Sequence, residues 1–411
     1  MKKKILLKGP LLTRSGYGEQ ARFALRSLLS REDLFDIYIQ PLRWGNTSWL
    51  NEDTEQRRWI DQNIEKTIGY IQQGGSFDVS LQVTIPNEFE KLAPVNIGYT
   101  AGIETTKIAP QWIEKINQMD TVIVVSEHSK DVIQNTEYRA RYEETGQEFT
   151  LKTQVPIKSV GYPVKTFDSL PDLDLNIDTA YNFLTVSQFG PRKNLTNTIK
   201  WFIDEFRDED VGLVLKSNIA KNCLMDRSRL HKDLVSFVNK QGPKTCKVYL
   251  LHGDMTDEEM HSLYNHSKIN AFVSLPHGEG FGLPIFEAGY SGLPVVTVGW
   301  SGQLDFLSNN GKDDDFYNVA FDIQPVQDEV VWDGVLIKDS MWAYARESSA
   351  KEQMRACYED TKNRDRDTKL QTRLLNDFSD TKMYEKFVDA FYVDDHVSDD
   401  EIEALFASLS D

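Results

Sequence analysis

Two carboxylates, Glu279 and Glu287, bracket a turn that reads His277-Gly278-Glu279-Gly280-Phe281-Gly282-Leu283-Pro284. Carboxylates accept hydrogen bonds from sugar hydroxyls. A glycine-rich turn that opens a helix offers free backbone N–H groups and the positive end of a helix dipole to an anion. A second group of residues adds positive charge. Arg192 and Lys193 sit side by side in Pro191-Arg192-Lys193-Asn194, and Lys216 closes a later apolar run. Near the start, Gly16 and Gly18 in Ser15-Gly16-Tyr17-Gly18 let a ligand approach the backbone closely. The glycine turn and its two carboxylates suit a ligand with phosphate in the middle and hydroxyls at both ends, which describes a nucleotide sugar.

The elements that must hold these groups are βα units. An apolar strand over 269–275 runs into the glycine turn. A helix follows, with Pro284 near its first position, where a missing N–H costs nothing. A second strand is expected over 293–298. Upstream, a strand over 183–186 precedes the Arg192-Lys193 turn and a helix over 195–206, and strands over 211–215 and 248–251 follow. The first part repeats the scheme, with strands expected over 4–7, 35–39, 79–83, 95–99, 121–125 and 155–160. Ser126 is a credible N-cap for the helix after 121–125. Such alternation argues for α/β architecture with parallel sheets covered on both faces.

A length of 411 residues is too much for one ordinary core, so two domains are expected. The boundaries read as 1–170, 171–335 and 336–411, with the linker in the aperiodic 163–178 stretch. The third segment is a set of C-terminal helices, including one over 347–358 and one over 369–390, followed by an acidic tail. No run reaches the ~20 apolar residues of a membrane span. The start resembles a signal peptide for seven residues, but Lys8-Gly9-Pro10 stops it. Cys223, Cys246 and Cys357 are scattered and odd in number, which points to a reducing, cytoplasmic setting without disulfides or a cysteine metal site. The formal charge of -18 excludes broad electrostatic attraction to nucleic acid or anionic membrane. A local basic groove from Arg139, Arg141, Lys152 and Lys158 stays open. Asp313-Asp314-Asp315 follows no strand and reads as a solvated loop, not a metal site.

The residues in order also resemble a known family. Glu279-Gly280-Phe281-Gly282-Leu283-Pro284-Ile285-Phe286-Glu287 is similar to the Glu-x7-Glu signature of retaining glycosyltransferases of family 4, the group 1 enzymes. Ser291-Gly292-Leu293-Pro294, the Ser126 segment, Pro191-Arg192-Lys193-Asn194 and Ser301-Gly302-Gln303 continue the pattern. The resemblance implies the GT-B fold, in which two Rossmann-like domains face each other across a cleft and C-terminal helices cross back to the N-terminal domain. It implies a retaining, metal-independent transfer from a nucleotide sugar, with a UDP-sugar ahead of a GDP-sugar. Glu287 would take the ribose hydroxyls and Glu279 those of the donor sugar. The N–H groups of Gly280, Phe281, Gly282 and Leu283 would meet the sugar and distal phosphate. Lys193, with Arg192 beside it, would neutralise the leaving diphosphate, and Gly16 and Gly18 would line the cleft. His277 could touch the donor or serve as a structural turn residue.

Two departures stand out. Relatives often carry an arginine five or six positions before the lysine, where this chain has Ser187 and Gln188, so Arg192 or Lys216 would supply the second charge. Relatives also often have an N-terminal-domain histidine near the acceptor, and Glu104 stands about where it would be. Glu104 is thus a candidate for acceptor contact or proton acceptance. The acceptor stays open among a glycan, a lipid, a protein and a modified nucleobase. Another sugar-nucleotide chemistry on the same fold, or a binding module without catalysis, are the alternatives.

Overall fold

The computed structural model describes residues 2–142, 145–308, 315–363 and 369–392. The chain opens with β1 (Lys3–Gly9), α1 (Gly16–Leu29), β2 (Phe35–Pro41), α2 (Glu55–Gln72), β3 (Val79–Val83), β4 (Val95–Thr100), α3 (Pro110–Ile116), β5 (Thr121–Val124) and α4 (Glu127–Asn135). A hairpin of β6 (Glu137–Arg141) and β7 (Glu148–Lys152) precedes β8 (Ile157–Ser159). Strands β1 to β5 and β8 form a six-stranded sheet in the order β2-β1-β3-β4-β5-β8. Every pairing in it is parallel. Its centre is buried: Ile5, Leu7, Leu81, Ile97 and Ile123 have no exposure. That agrees with strands written as continuous apolar runs and covered on both faces.

The second half contains β9 (Tyr181–Val186), α5 (Leu195–Phe206), β10 (Val211–Lys216), α6 (Leu224–Lys240), β11 (Lys247–Leu251), α7 (Asp257–Asn265), β12 (Ala271–Ser274), α8 (Leu283–Tyr290), β13 (Val295–Val298), α9 (Leu304–Leu307) and β14 (Tyr317–Val319). Its sheet runs β11-β10-β9-β12-β13-β14, again all parallel. The order reverses between β9 and β12. Ligands of doubly wound sheets bind at such a switch point, beyond the carboxyl ends of the strands. The turn after β9 carries Arg192 and Lys193, and the turn after β12 carries Glu279. The sequence spacing thereby becomes a spatial meeting. The fold is the two-domain GT-B architecture.

An antiparallel hairpin of β15 (Phe321–Pro325) and β16 (Met341–Ala345) follows, then α10 (Glu347–Thr361), α11 (Lys369–Asp377) and α12 (Asp380–Phe391). The expectation that the C-terminal helices cross back holds for α12 alone. Phe387 packs on Phe23 of α1 (ring centroids 5.3 Å apart) and on Tyr99 (5.2 Å). Helix α10 instead stays on the second half. Arg355 clamps Glu205 and Glu209 beside α5 at 2.7 and 2.6 Å. Leu370 and Leu374 of α11 sit against Gly289 of α8. The helix expected over 369–390 is broken between α11 and α12, where Phe378 O accepts from Val164 N (2.8 Å) and its ring meets Phe286 (5.3 Å). The acidic tail from 393 onward, and Asp313 and Asp314, lie outside the described residues. Asp315 pairs with Arg373 at 3.1 Å.

Candidate functional site

The turn after β9 needs one residue in the left-handed region, and Asn194 takes it (φ 53°). Asparagine tolerates that conformation better than most residues. The turn ends directly in α5, so Arg192 and Lys193 project from a rigid strand-to-helix corner. Across the switch point, Ser301 takes the other strained position (φ 75°), and among the described residues these two are the non-glycines with positive φ. The Ser301 hydroxyl accepts from Glu279 N (2.9 Å) and donates to Gln303 (2.9 Å). Gly302 N donates to Glu279 O (3.0 Å). The carboxylate-bearing residue is therefore held by its backbone on both sides. Backbone strain of this kind persists where surroundings impose it, and functional sites are a common place for it.

Glu279 is buried and meets both cations. Lys193 Nζ lies 2.5 Å from Oε1, and an Arg192 guanidinium nitrogen lies 3.1 Å from Oε2. The same guanidinium reaches Glu104 Oε1 (3.2 Å) in the N-terminal half and donates to Gly278 O (2.6 Å). Burial disfavours the Glu279 anion, but Lys193 and Arg192 outweigh it and hold its pKa below the ordinary range. Glu104 goes the other way. Burial raises its pKa, opposed by Arg192 and reinforced by Glu279. Two carboxyls with pKa values pushed apart, bridged by one arginine, are a recognisable functional arrangement.

The halves meet tightly at this point. A Cβ on Gly278 would lie 2.1 Å from Glu104 O, one on Gly280 would lie 2.0 Å from Ala101 O, and one on Gly302 would lie 2.0 Å from Gly280 O. Ser126 Oγ donates to Gly280 O (2.6 Å). These glycines are therefore packing glycines, allowing the first half's 101–104 loop to lie on the turn. Gly282, the residue before α8, has φ 97°. Phe281 buries its ring among Tyr162, Phe286 and Phe306, so only its backbone is available to a ligand. Leu283 begins α8; Pro284 has no N–H, and Ile285 N and Phe286 N donate to Gly282 O (2.9 and 3.0 Å), so of the first turn's amides that of Leu283 is left for a ligand.

Glu287, one turn into α8, accepts from Tyr264 Oη (2.9 Å). Burial raises its pKa to about 7, with Lys165 opposing and Asp257 and Glu19 adding to the rise. Lys165 lies 3.2 Å from Glu19 and 2.9 Å from Asp257. Glu19 itself is held far below the ordinary range by Lys165, Arg26 and Arg22, which overcome its burial. The charges around Glu287 come from α1, the interdomain segment and α7, and sequence reading did not connect them.

Other expected site residues are placed differently. His277 is turned into the scaffold: Nδ1 donates to Ala343 O (2.7 Å), and the ring stacks on Trp342 (4.9 Å) and meets Tyr344 (4.5 Å). Through Nδ1 it ties the β15–β16 hairpin to the glycine turn, which is the structural role expected for a turn histidine. Lys216 does not join the carboxylate cluster. It donates to Gly253 O, and burial lowers its pKa. Gly18 serves the start of α1, since its N–H caps onto Ser15 Oγ (2.9 Å) and a Cβ would meet Thr13 O at 2.1 Å. A Cβ on Gly16 would meet nothing within 4 Å, so Gly16 faces open space. Of the residues of the suggested basic groove, Arg139, Arg141 and Lys152 lie on the β6–β7 hairpin and Lys158 on β8. Arg141 pairs with Glu148 on the β6–β7 hairpin, whereas Lys158 donates to Tyr392 O elsewhere.

Sequence reading also missed two buried hydroxyls. Ser187 and Ser217 follow β9 and β10, and their Oγ atoms have no partner. Their position just past the strand ends was the available signal.

Residues 174–313 match the profile described as glycosyl transferases group 1. This segment is similar to group 1 glycosyl transferases. It contains the Arg192-Lys193 turn and the Glu279–Glu287 block. The serotype-specific mannosyltransferase WbdA of Escherichia coli is 31% identical over 143 residues, which are 34% of this chain and 16% of that protein. The chain thus aligns with about a sixth of that relative's length. Among solved structures, HepE of Anabaena in complex with UDP-glucose superposes with a TM-score of 0.58 at 12% identity, covering 95% of this chain and 99% of that one. A glycosyltransferase from Rickettsia africae superposes with a TM-score of 0.55 at 14% identity, over the same shares. These likenesses span both halves, so the matched segment sits in a GT-B frame that includes the N-terminal sheet. No helix among the described residues is long and apolar enough to cross a membrane.

Proposed function

We propose that the chain is a retaining glycosyltransferase that moves a sugar from a nucleotide-diphosphate sugar, a UDP-sugar ahead of a GDP-sugar, to an acceptor hydroxyl. The observation that carries this reading is the Lys193–Glu279–Arg192–Glu104 cluster at the switch point, under the glycine turn and against the N-terminal half. Breaking a glycosyl–phosphate bond builds positive charge on the sugar and negative charge on the departing phosphate. Lys193, Arg192 and the Leu283 amide at the start of α8 stabilise the negative charge without reorganising, and no metal is required for that role. Glu279, ionised by its two cations, accepts hydrogen bonds from donor-sugar hydroxyls. Glu287 takes the ribose hydroxyls. Glu104, from the opposite half and with a raised pKa, is suited to accept the proton of the attacking hydroxyl. The attack comes from the face the phosphate leaves, which retains the anomeric configuration. The buried free thiols of Cys246 and Cys357 fit a reducing compartment.

Thermal shifts with UDP, GDP and their sugars test the donor assignment. Ligand at about 100 times its dissociation constant adds roughly 2.7 kcal/mol to stability. Lys193→Ala should lower kcat about 100- to 1000-fold, as expected for loss of one charge aimed at the leaving group. Full transfer activity in Lys193→Ala and Glu279→Gln together would overturn the site. Product analysis by NMR reads the anomeric outcome, and an inverted product would overturn the retaining assignment.

A further inference from the structure

The segment after β2 folds back onto the connection that carries Gly16. Arg14 N donates to Ser48 O (2.8 Å), Leu50 N to Leu12 O (2.9 Å), and Thr13 bridges Trp49. The same segment touches the second half, where Asn222 N donates to Ser48 Oγ (3.4 Å). Between them lies a cavity of about 320 Å³, lined by Arg43, Trp44, Asn46, Thr47, Trp49 and Lys221. It adjoins the site through one aromatic contact. Trp44 packs on Tyr17 with ring centroids 4.0 Å apart. The Tyr17 hydroxyl is shared with Thr100 Oγ1 (2.8 Å) and accepts from the amides of Ala101 and Gly102, which begin the loop carrying Glu104.

We propose that this cavity is the acceptor subsite and that it takes a pyranose carrying an anionic group, phosphate or carboxylate. The inference rests on the transferase reading above. Indole rings offer apolar faces to the C–H face of a sugar while leaving its hydroxyls free. Asn46 supplies donors and an acceptor for those hydroxyls. The Thr47 hydroxyl, which donates to Trp44 O (2.8 Å), keeps its lone pairs for a sugar O–H. Arg43 and Lys221 supply the charge. In a chain of formal charge -18, Arg14, Lys107 and Lys165 pair with carboxylates across the boundary between the halves. Arg43 and Lys221 have no ion-pair partner among the described residues, although they come from different halves and line one cavity. Two unpaired cations lining one cavity favour an anionic substituent, which makes charge-assisted hydrogen bonds to them. Its volume sits at the small end of the range for small-molecule sites, which suits one or two sugar rings.

Glucuronic acid, glucose 6-phosphate and glucose serve as probes, titrated into the whole chain by calorimetry with UDP or GDP already bound. The expected result is that at least one anionic sugar binds about tenfold or more tightly than glucose with nucleotide in place. Preference between glucuronate and the phosphate identifies the source of the anion. The paired variant Arg43→Ser/Lys221→Ser, at exposed positions, should remove that preference, and Trp49→Ala should weaken all three sugars. Both variants should keep the parent's stabilisation by nucleotide, which shows that they fold. Nucleotide binding with no preference for anionic sugars, or a preference that survives the paired variant, overturns the inference and leaves the donor reading standing. Displacement of the sugars by nucleotide assigns the cavity to the donor and overturns it as well. Failure of every nucleotide to bind overturns both.

Discussion

Replacing Gly280 by alanine tests whether the closed meeting of the two halves is what makes the site. The added Cβ would stand 2.0 Å from Ala101 O, a backbone atom, whereas real Cβ contacts essentially never fall under 3.0 Å. Either the 101–104 loop or the glycine turn must retreat by at least 1 Å. Neither has slack. Gly280 O is held by Ser126 Oγ at 2.6 Å, Gly302 presses on the same carbonyl, and the Ala101 and Gly102 amides are fixed on Tyr17. Overpacking of this kind costs about 1–3 kcal/mol, and loss of the Ser126 bond about 1 kcal/mol more. The sum, about 2–4 kcal/mol, acts against the closed arrangement and leaves the strands of either sheet untouched. If Glu104 and Arg192 must face each other for turnover, kcat/KM should fall roughly 30- to 1000-fold. Small-angle scattering should show a larger radius of gyration, while far-UV dichroism stays that of the parent. Gly69→Ala, on the exposed side of α2 with nothing within 4 Å of the new Cβ, is the control and should gain up to about 1 kcal/mol. A Gly280→Ala protein with the parent's radius of gyration and kcat/KM within threefold would refute the reasoning.

Gly16→Ala adds a Cβ to open space, so the melting temperature should be unchanged while nucleotide-sugar affinity falls about tenfold; unchanged affinity in calorimetry would remove Gly16 from the donor site. Glu287 keeps a proton up to about pH 7 in the folded chain against an ordinary 4.5. The stability it contributes is therefore full below pH 4.5 and is lost as pH rises to 7. Urea titrations at pH 5 and 7 should show this slope reduced in Glu287→Gln by about 2 kcal/mol, allowing for partial exposure, and an unaltered slope would sink the assignment. Phe387→Ala should cost about 3–5 kcal/mol by urea unfolding, because the ring is fully buried between α1 and β4; a loss under about 1 kcal/mol would mean α12 is not an integral part of the first half.

The chain's local writing settled the order of its elements. Strands such as 121–124 and 271–274 are mostly apolar runs, and the turns after them are marked by glycine, proline or a capping serine, so the parallel α/β class follows from patterns a few residues long. The Arg192-Lys193 turn and the Glu279–Glu287 block are likewise contiguous, and their chemistry could be read without a structure. Helices α2 and α6 were missed although Ile60, Ile64, Ile68 and Ile71 in α2, and Leu230, Leu234 and Val238 in α6, recur at helical spacing. The break between α11 and α12 has no proline or glycine to announce it and exists because Phe378 is captured by Val164 and Phe286. What only tertiary structure decided is who faces whom. Glu104 and Arg192 belong to different sheets, His277 is claimed by a hairpin formed far downstream, and Lys165 comes to Glu19 and Asp257 from the segment between the halves. Such pairings depend on how two sheets dock, and the docking surface is spread over glycines whose sequence signal does not distinguish a ligand's approach from a neighbour's. At Gly280 the neighbour is Ala101, and at Gly16 there is open space.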